Sequence, residues 1–116
     1  MEQLNDADHE ARVATCREAV AIARRVGDSS ALLRVLCLTC LAAEVPDNLA
    51  ERTAWAEEAH SLAAAEDDPF VTFWTWANTG PLADQLGDLA RIAEGRRVMA
   101  EIVARFPEPT MRWLQT

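Results

Sequence analysis

The chain has 116 residues, half of them apolar, and a formal net charge of −8. That is one domain's worth of protein with enough apolar surface for a modest core, so neither disorder nor a two-domain assembly is expected. A field of this sign repels a phosphate backbone, which argues against direct nucleic-acid binding.

The first ten residues are polar and acidic, unlike a signal peptide. The longest apolar run, 31–43, is interrupted by Arg34 and is shorter than a bilayer span needs, so no membrane association is expected. Cys16, Cys37 and Cys40 all lie in apolar helical pattern, which fits a reducing cytoplasm. All eleven basic residues are arginine, and with the heavy use of alanine this suggests a GC-rich bacterial genome.

In chain order the pattern predicts helices over about 8–26, 29–44, 48–66, 69–85 and 88–106, and a sixth from 109 onward. The first and second are separated only by a short turn at Val26, Gly27 and Asp28, and the later pairs are joined as tightly. No alternating run supports a strand. Proline inside the fourth helix, at Gly80-Pro81, removes a backbone donor and predicts a kink or break there.

The elements recur every 40 residues. Ile22, Leu62 and Ile102 share this offset, as do Ala23, Ala63 and Val103, and Leu33, Phe73 and Trp113. On that register Ile22 and Leu62 are expected in the core. Asp8, Asn48 and Asp88 stand before the first helix of each unit, and Asp28, Asp68 and Glu108 before the second. Short polar side chains in such places accept the orphan N–H groups of a first turn, and Asn48 with Glu51 has the spacing of a capping box. Pro69 and Pro109 stand at first helical positions, where a missing N–H costs nothing. The expected architecture is a single all-α domain, residues 1–116, an α-solenoid of helical hairpins with repeats of about 8–47, 48–87 and 88–116. The last repeat is incomplete on this register, and a fragment of a longer polypeptide is expected.

The segments REAVAIARRVGD (17–28), WAEEAHSLAAAEDDP (55–69) and LGDLARIAEGRRVMAEIVARFPEPTMRW (86–113) resemble tetratricopeptide-like repeats. More narrowly, they resemble the α-helical C-terminal regions of large bacterial signalling ATPases. In those proteins such repeats follow a nucleotide-binding module accompanied by a LuxR-type helix-turn-helix or a class III adenylate cyclase domain. The resemblance covers about residues 10–116; the period and the lack of any tyrosine depart from the strict tetratricopeptide consensus. It implies a cytoplasmic interaction module of a bacterial signalling or transcriptional regulator, with the catalytic and DNA-binding activities on other domains.

The residue inventory points the same way. Nothing matches GxxxxGK[ST], so no phosphate cradle or nucleotide cofactor is expected. Cys37 and Cys40 form a C-x-x-C, but among leucines in mid-helix they read as small buried hydrophobes, not as a redox or zinc pair. His9-Glu10 lacks the second histidine of a metalloprotease motif, and His9 and His60 read as solvated surface residues. Glu66, Asp67 and Asp68 straddle a helix end and the next helix's cap, which favours capping over cation binding. Arg97, Glu101 and Arg105 have the spacing of a solvated ion-pair face. No paired base and nucleophile stands out, so no enzymatic activity, metal or cofactor is expected.

Residues 70–82 contain no charge, so the fourth helix is expected to have neighbours on more than one side. With Leu33 and Phe73 at the centre of the packed face, Arg34, Trp74, Thr75 and Asn78 fall on the far face or its edge. That mixture suits a protein partner or another domain of the same polypeptide; the alternative is a small-molecule effector held on a concave helical face. Trp74 has a second reading, as packing for a neighbouring repeat. Met111, Trp113 and Leu114, in the incomplete last helix, form an expected self-association surface for a homodimer through the C-terminal hairpin.

Overall fold

A computed structural model describes residues 6–42 and 48–105, and every element among them is a helix. The elements are α1 (Asp6–Val26), α2 (Ser29–Ala42), α3 (Leu49–Glu66), α4 (Pro69–Leu86) and α5 (Leu89–Arg105). The predicted sixth helix, Glu108, and Met111, Trp113 and Leu114 lie outside the described residues.

Local chemistry sets the helix ends. Gly27 and Gly87 take positive φ, 81° and 67°, which glycine reaches without a Cβ clash, and each closes a helix. At the end of α4 the N–H of Asp88 donates to the Ala83 carbonyl (3.2 Å) and that of Gly87 to Asp84 (3.2 Å), the paired bonds of a Schellman ending. Asp67 makes the corresponding turn after α3 at φ 52°, a conformation aspartate tolerates better than most non-glycine residues. The next helix then starts on a carboxylate cap. Asp28 accepts from the Ser30 N–H (3.0 Å), Asp68 from Phe70 (2.9 Å) and Asp88 from Arg91 (3.0 Å).

Two expected caps differ. α1 begins at Asp6, which puts Asp8 inside its first turn. Asn48 makes no side-chain cap and is buried. Its intended capping partner Glu51 instead receives a bidentate ion pair from Arg17, with contacts of 2.9 and 3.0 Å, a stronger bond for a carboxylate than one backbone N–H. Nor does Pro81 break α4, which continues to Leu86. The ring deprives only the Ala77 carbonyl of its donor, and Ala77 is exposed, so water can serve that oxygen.

Packing centres on α2, which lies against α1, α3 and α4. Its Leu33, Leu36 and Cys37 join Val13, Cys16 and Val20 of α1 and Trp55, Ala59 and Ala63 of α3 in the main core. Phe73 of α4 and Ile102 of α5 begin a second cluster with Val98, Met99 and Val103. On α1 the buried positions are 13, 16, 20 and 23, a stripe that passes Ile22 by; Ile22 is 45% exposed, contrary to its expected core place. Leu62 is partly buried against the main core.

Two ion pairs fix the setting of α1 against α3. Arg17 reaches Glu51 and Arg24 reaches Glu58, both across 34 residues. Equal offsets two turns apart require the two helices to run parallel. These solvent-screened pairs specify register more than stability.

At the far end of α2 the Arg52 side chain is 1% exposed. Its Nε donates to the Cys40 carbonyl (2.7 Å) and its Nη1 to Gln85 Oε1 (2.8 Å), while the Cys40 thiol donates to the Arg52 carbonyl (3.3 Å). The Cys40 oxygen belongs to the last turn of α2, where carbonyls lack helical donors and the helix dipole favours a cation.

Two predictions follow from this packing. Leu36→Ala should cost about 2–5 kcal/mol in urea denaturation, whereas Ile22→Ala should cost under about 1 kcal/mol. The reverse order would overturn the assignment of the α1 face. Arg52→Ala should cost about 3 kcal/mol or more by orphaning buried polar groups. Arg52→Lys should rescue little of it, since one ammonium cannot reproduce the planar fork; wild-type stability of Arg52→Lys would refute the clamp.

Candidate functional site

The side chains expected to form one binding surface divide into two groups. Arg34 and Trp74 do meet, with Phe70, Leu33 and Val71, around a cavity of about 270 Å3 between α2 and α4. Arg34 is exposed and Phe70 is half-exposed, while Trp74 is partly buried against the main core. Trp74 therefore both packs and lines the groove. Ser30 and Glu66, hydrogen-bonded to each other, complete the groove.

Thr75 does not belong to it. It is fully buried, its hydroxyl donates to the Val71 carbonyl (2.8 Å), and it meets the Cys37 thiol. The face taken as open is the one on which α2 packs, because α4 has α2, α3 and α5 as neighbours. A threonine that satisfies its own hydroxyl in this way enters a core at little cost. Asn78 is half-buried and donates Nδ2 to the Trp74 carbonyl (2.8 Å), so it too serves the helix.

A second site lies between α4 and α5, where a cavity of about 210 Å3 is lined by Trp76, Met99, Ile92 and Pro81, with Arg91, Arg96 and Asp84 among its polar members. Gly95 lets α5 approach the indole: a Cβ there would stand 2.9 Å from Trp76 Cε3. The Arg91 guanidinium sits 5.5 Å from the Trp76 ring centroid, at cation–π range.

On the same indole rests His60, with ring centroids 4.3 Å apart and planes tilted by 55°. This imidazole is not a solvated surface group. Burial, with the Arg91 charge adding to it, pushes its pKa down to about 4. Its tautomer follows from the hydrogen bonds. Thr79 uses its one hydroxyl proton on the Thr75 carbonyl (2.8 Å), so at 2.9 Å from His60 Nε2 it must accept, which leaves the proton on Nε2. Sequence pattern alone could not reveal this, since a histidine flanked by alanine and serine reads as surface.

The cysteines are buried as the apolar pattern predicts. Burial pushes the Cys37 thiol up to about 12 and raises Cys40 as well. Protonated thiols are poor nucleophiles and poor metal ligands. Among the described residues no three His, Cys, Asp or Glu side chains gather as a metal site, and no helix is long and apolar enough to cross a membrane. The expected ion pair Arg97–Glu101 is present at 2.9 Å.

The depressed pKa of His60 makes stability depend on pH. The unfolded chain takes up this proton near pH 6.5 and the folded chain only near pH 4, so stability is full above about 6.5 and falls as pH drops toward 4. Glu58, held below the usual carboxylate range by its hydrogen bond to Arg24, loses stability in the same direction but at lower pH. Between pH 7 and pH 5 the wild type should therefore lose on the order of 1 kcal/mol more than His60→Gln, which keeps a donor for Thr79. Equal losses in urea titrations at the two pH values would show that His60 titrates normally. Comparison with protein-family models, with curated proteins and with solved structures yields no match.

Proposed function

We propose that this chain is a non-catalytic interaction module, a tetratricopeptide-like solenoid whose groove between α2 and α4 receives a protein partner or another segment of the same polypeptide. The observation that carries this reading is the grouping of Arg34, Phe70 and Trp74 around one groove, with Phe70 50% exposed. Aromatic and arginine side chains are the usual anchors of protein interfaces, and an aromatic ring left half-wet beside a cavity is a poor choice for stability alone.

The repeat reading is supported by helix starts at Ser29 and Pro69, and at Leu49 and Leu89, each pair 40 residues apart. The parallel setting of α1 and α3 is what successive first helices of stacked hairpins would adopt. The non-catalytic reading is supported by the chemistry of the described residues: the buried thiols are held protonated, and the Nε2 proton of His60 is committed to Thr79. The assignment to a cytoplasmic bacterial signalling or transcriptional regulator rests on the resemblance of the repeat segments.

A random peptide library selected against the folded chain should return binders that use this groove. Their affinity should fall about thirtyfold, or about 2 kcal/mol, in Phe70→Ala and in Arg34→Ala, with melting temperatures near the parent's. Binders indifferent to both substitutions would place the interaction surface elsewhere.

A further inference from the structure

The cavity between α4 and α5 has two walls of opposite polarity, and this is independent of the α2–α4 groove. From α5 come the donors: Arg91, half-buried over Trp76, and Arg96 on the rim. Neither forms an ion pair among the described residues, although Arg17, Arg24 and Arg97 each do. A guanidinium held over an aromatic ring still has N–H groups to offer a carboxylate.

From α4 come the acceptors. Ala77, Gly80, Pro81 and Asp84 line the cavity together, as residues spaced by three, four and seven positions must on one helix face. Pro81 has no N–H to give the Ala77 carbonyl, so this oxygen needs a donor from outside the helix. Asp84 adds a carboxylate one turn further on, also without an ion pair among the described residues. Between the two walls lies apolar surface from Trp76, Ile92 and Met99.

An anion alone would leave the α4 acceptors unused and face Asp84; a cation alone would face two arginines. A zwitterion satisfies both walls. The size of the cavity narrows the choice: if about 150 Å3 holds the six heavy atoms of benzene, then 210 Å3 holds about eight or nine. That is the size of valine or leucine. We propose that this cavity binds a free aliphatic α-amino acid. Its carboxylate lies at Arg91 and Arg96, its ammonium at the Ala77 carbonyl and Asp84, and its side chain against Trp76 and Met99.

The test titrates L-leucine into the protein while NMR follows the Trp76 indole and Met99 methyl signals, with Trp55 as an internal control. Two analogues each lack one charge: 4-methylpentanoate has no ammonium, and 3-methylbutylamine no carboxylate. Leucine should shift Trp76 and Met99 saturably, and each analogue should bind at least about tenfold more weakly. Asp84→Asn should bring leucine down toward 4-methylpentanoate, and Arg91→Gln toward 3-methylbutylamine.

Pro81→Ala separates a binding role from a structural one. Restoring the N–H should raise the melting temperature yet weaken leucine and 3-methylbutylamine, leaving 4-methylpentanoate unchanged. No saturable shift by leucine at about 10 mM, or equal binding of either analogue, would overturn the proposal. So would a Pro81→Ala protein that binds leucine as tightly as its parent.

Discussion

One buried guanidinium holds together the end of the helix on which the core depends. α2 is surrounded by α1, α3 and α4 and carries a single charge, Arg34, on its exposed side. Such a helix gains from burial along its length but must end with carbonyls that have lost their donors. Arg52 resolves this for Cys40 and continues to Gln85 near the end of α4, so the terminal turns of α2 and α4 are tied through α3. Taking a cation out of water is costly, and it is tolerated here because its N–H groups meet fixed acceptors in the geometry that a planar fork favours. The Cys40 thiol returns a bond to the Arg52 carbonyl, which makes the junction reciprocal.

The threonines of α4 follow from the same crowding. Thr75 and Thr79 are both buried, and each hydroxyl donates to the carbonyl four residues back. Thr79 then has lone pairs left, and His60 fills one of them with its Nε2 proton. Burial and the Arg91 charge keep the imidazole neutral against Trp76, and the same indole receives Gly95 and Arg91 from α5. A row of polar atoms thus crosses the helix stack with its hydrogen-bonding capacity met locally, as buried polar groups require.

Helix ends were legible because caps are local. Asp28, Asp68 and Asp88 bond to N–H groups two or three residues away, and Gly27 and Gly87 turn the chain by their own φ. Faces were less legible, because a helical wheel needs an origin that sequence does not supply. On α1, placing Ile22 inward rotates the stripe away from Val13, Cys16, Val20 and Ala23, two of which are not large apolar residues. On α4 neighbours on more than one side were expected, but the wheel left the face of Thr75 open, and α2 packs there. The burial of Arg52, and of His60, which was expected on the surface, was hidden for a simpler reason: charged and titratable side chains are expected in water, and only three-dimensional placement reveals the acceptors that hold them inside. Of the four expected groove residues, Arg34 and Trp74 share a cavity since they stand on facing edges of α2 and α4, and Phe70, one turn before Trp74, completes it.

The absence of charge from Phe70 to Leu82 follows from what surrounds α4. Trp74 and Trp76 are two residues apart and so about 200° apart around the helix. One indole lines the groove toward α2, and the other lines the cavity toward α5. Between them Phe73 enters the α5 cluster and Thr75 meets Cys37. A helix with neighbours on three sides and a cavity on each flank has few positions where an ion would stay hydrated. Charge returns only at Asp84, exposed in the last turn of the helix, where its backbone also accepts the closing bond from Gly87.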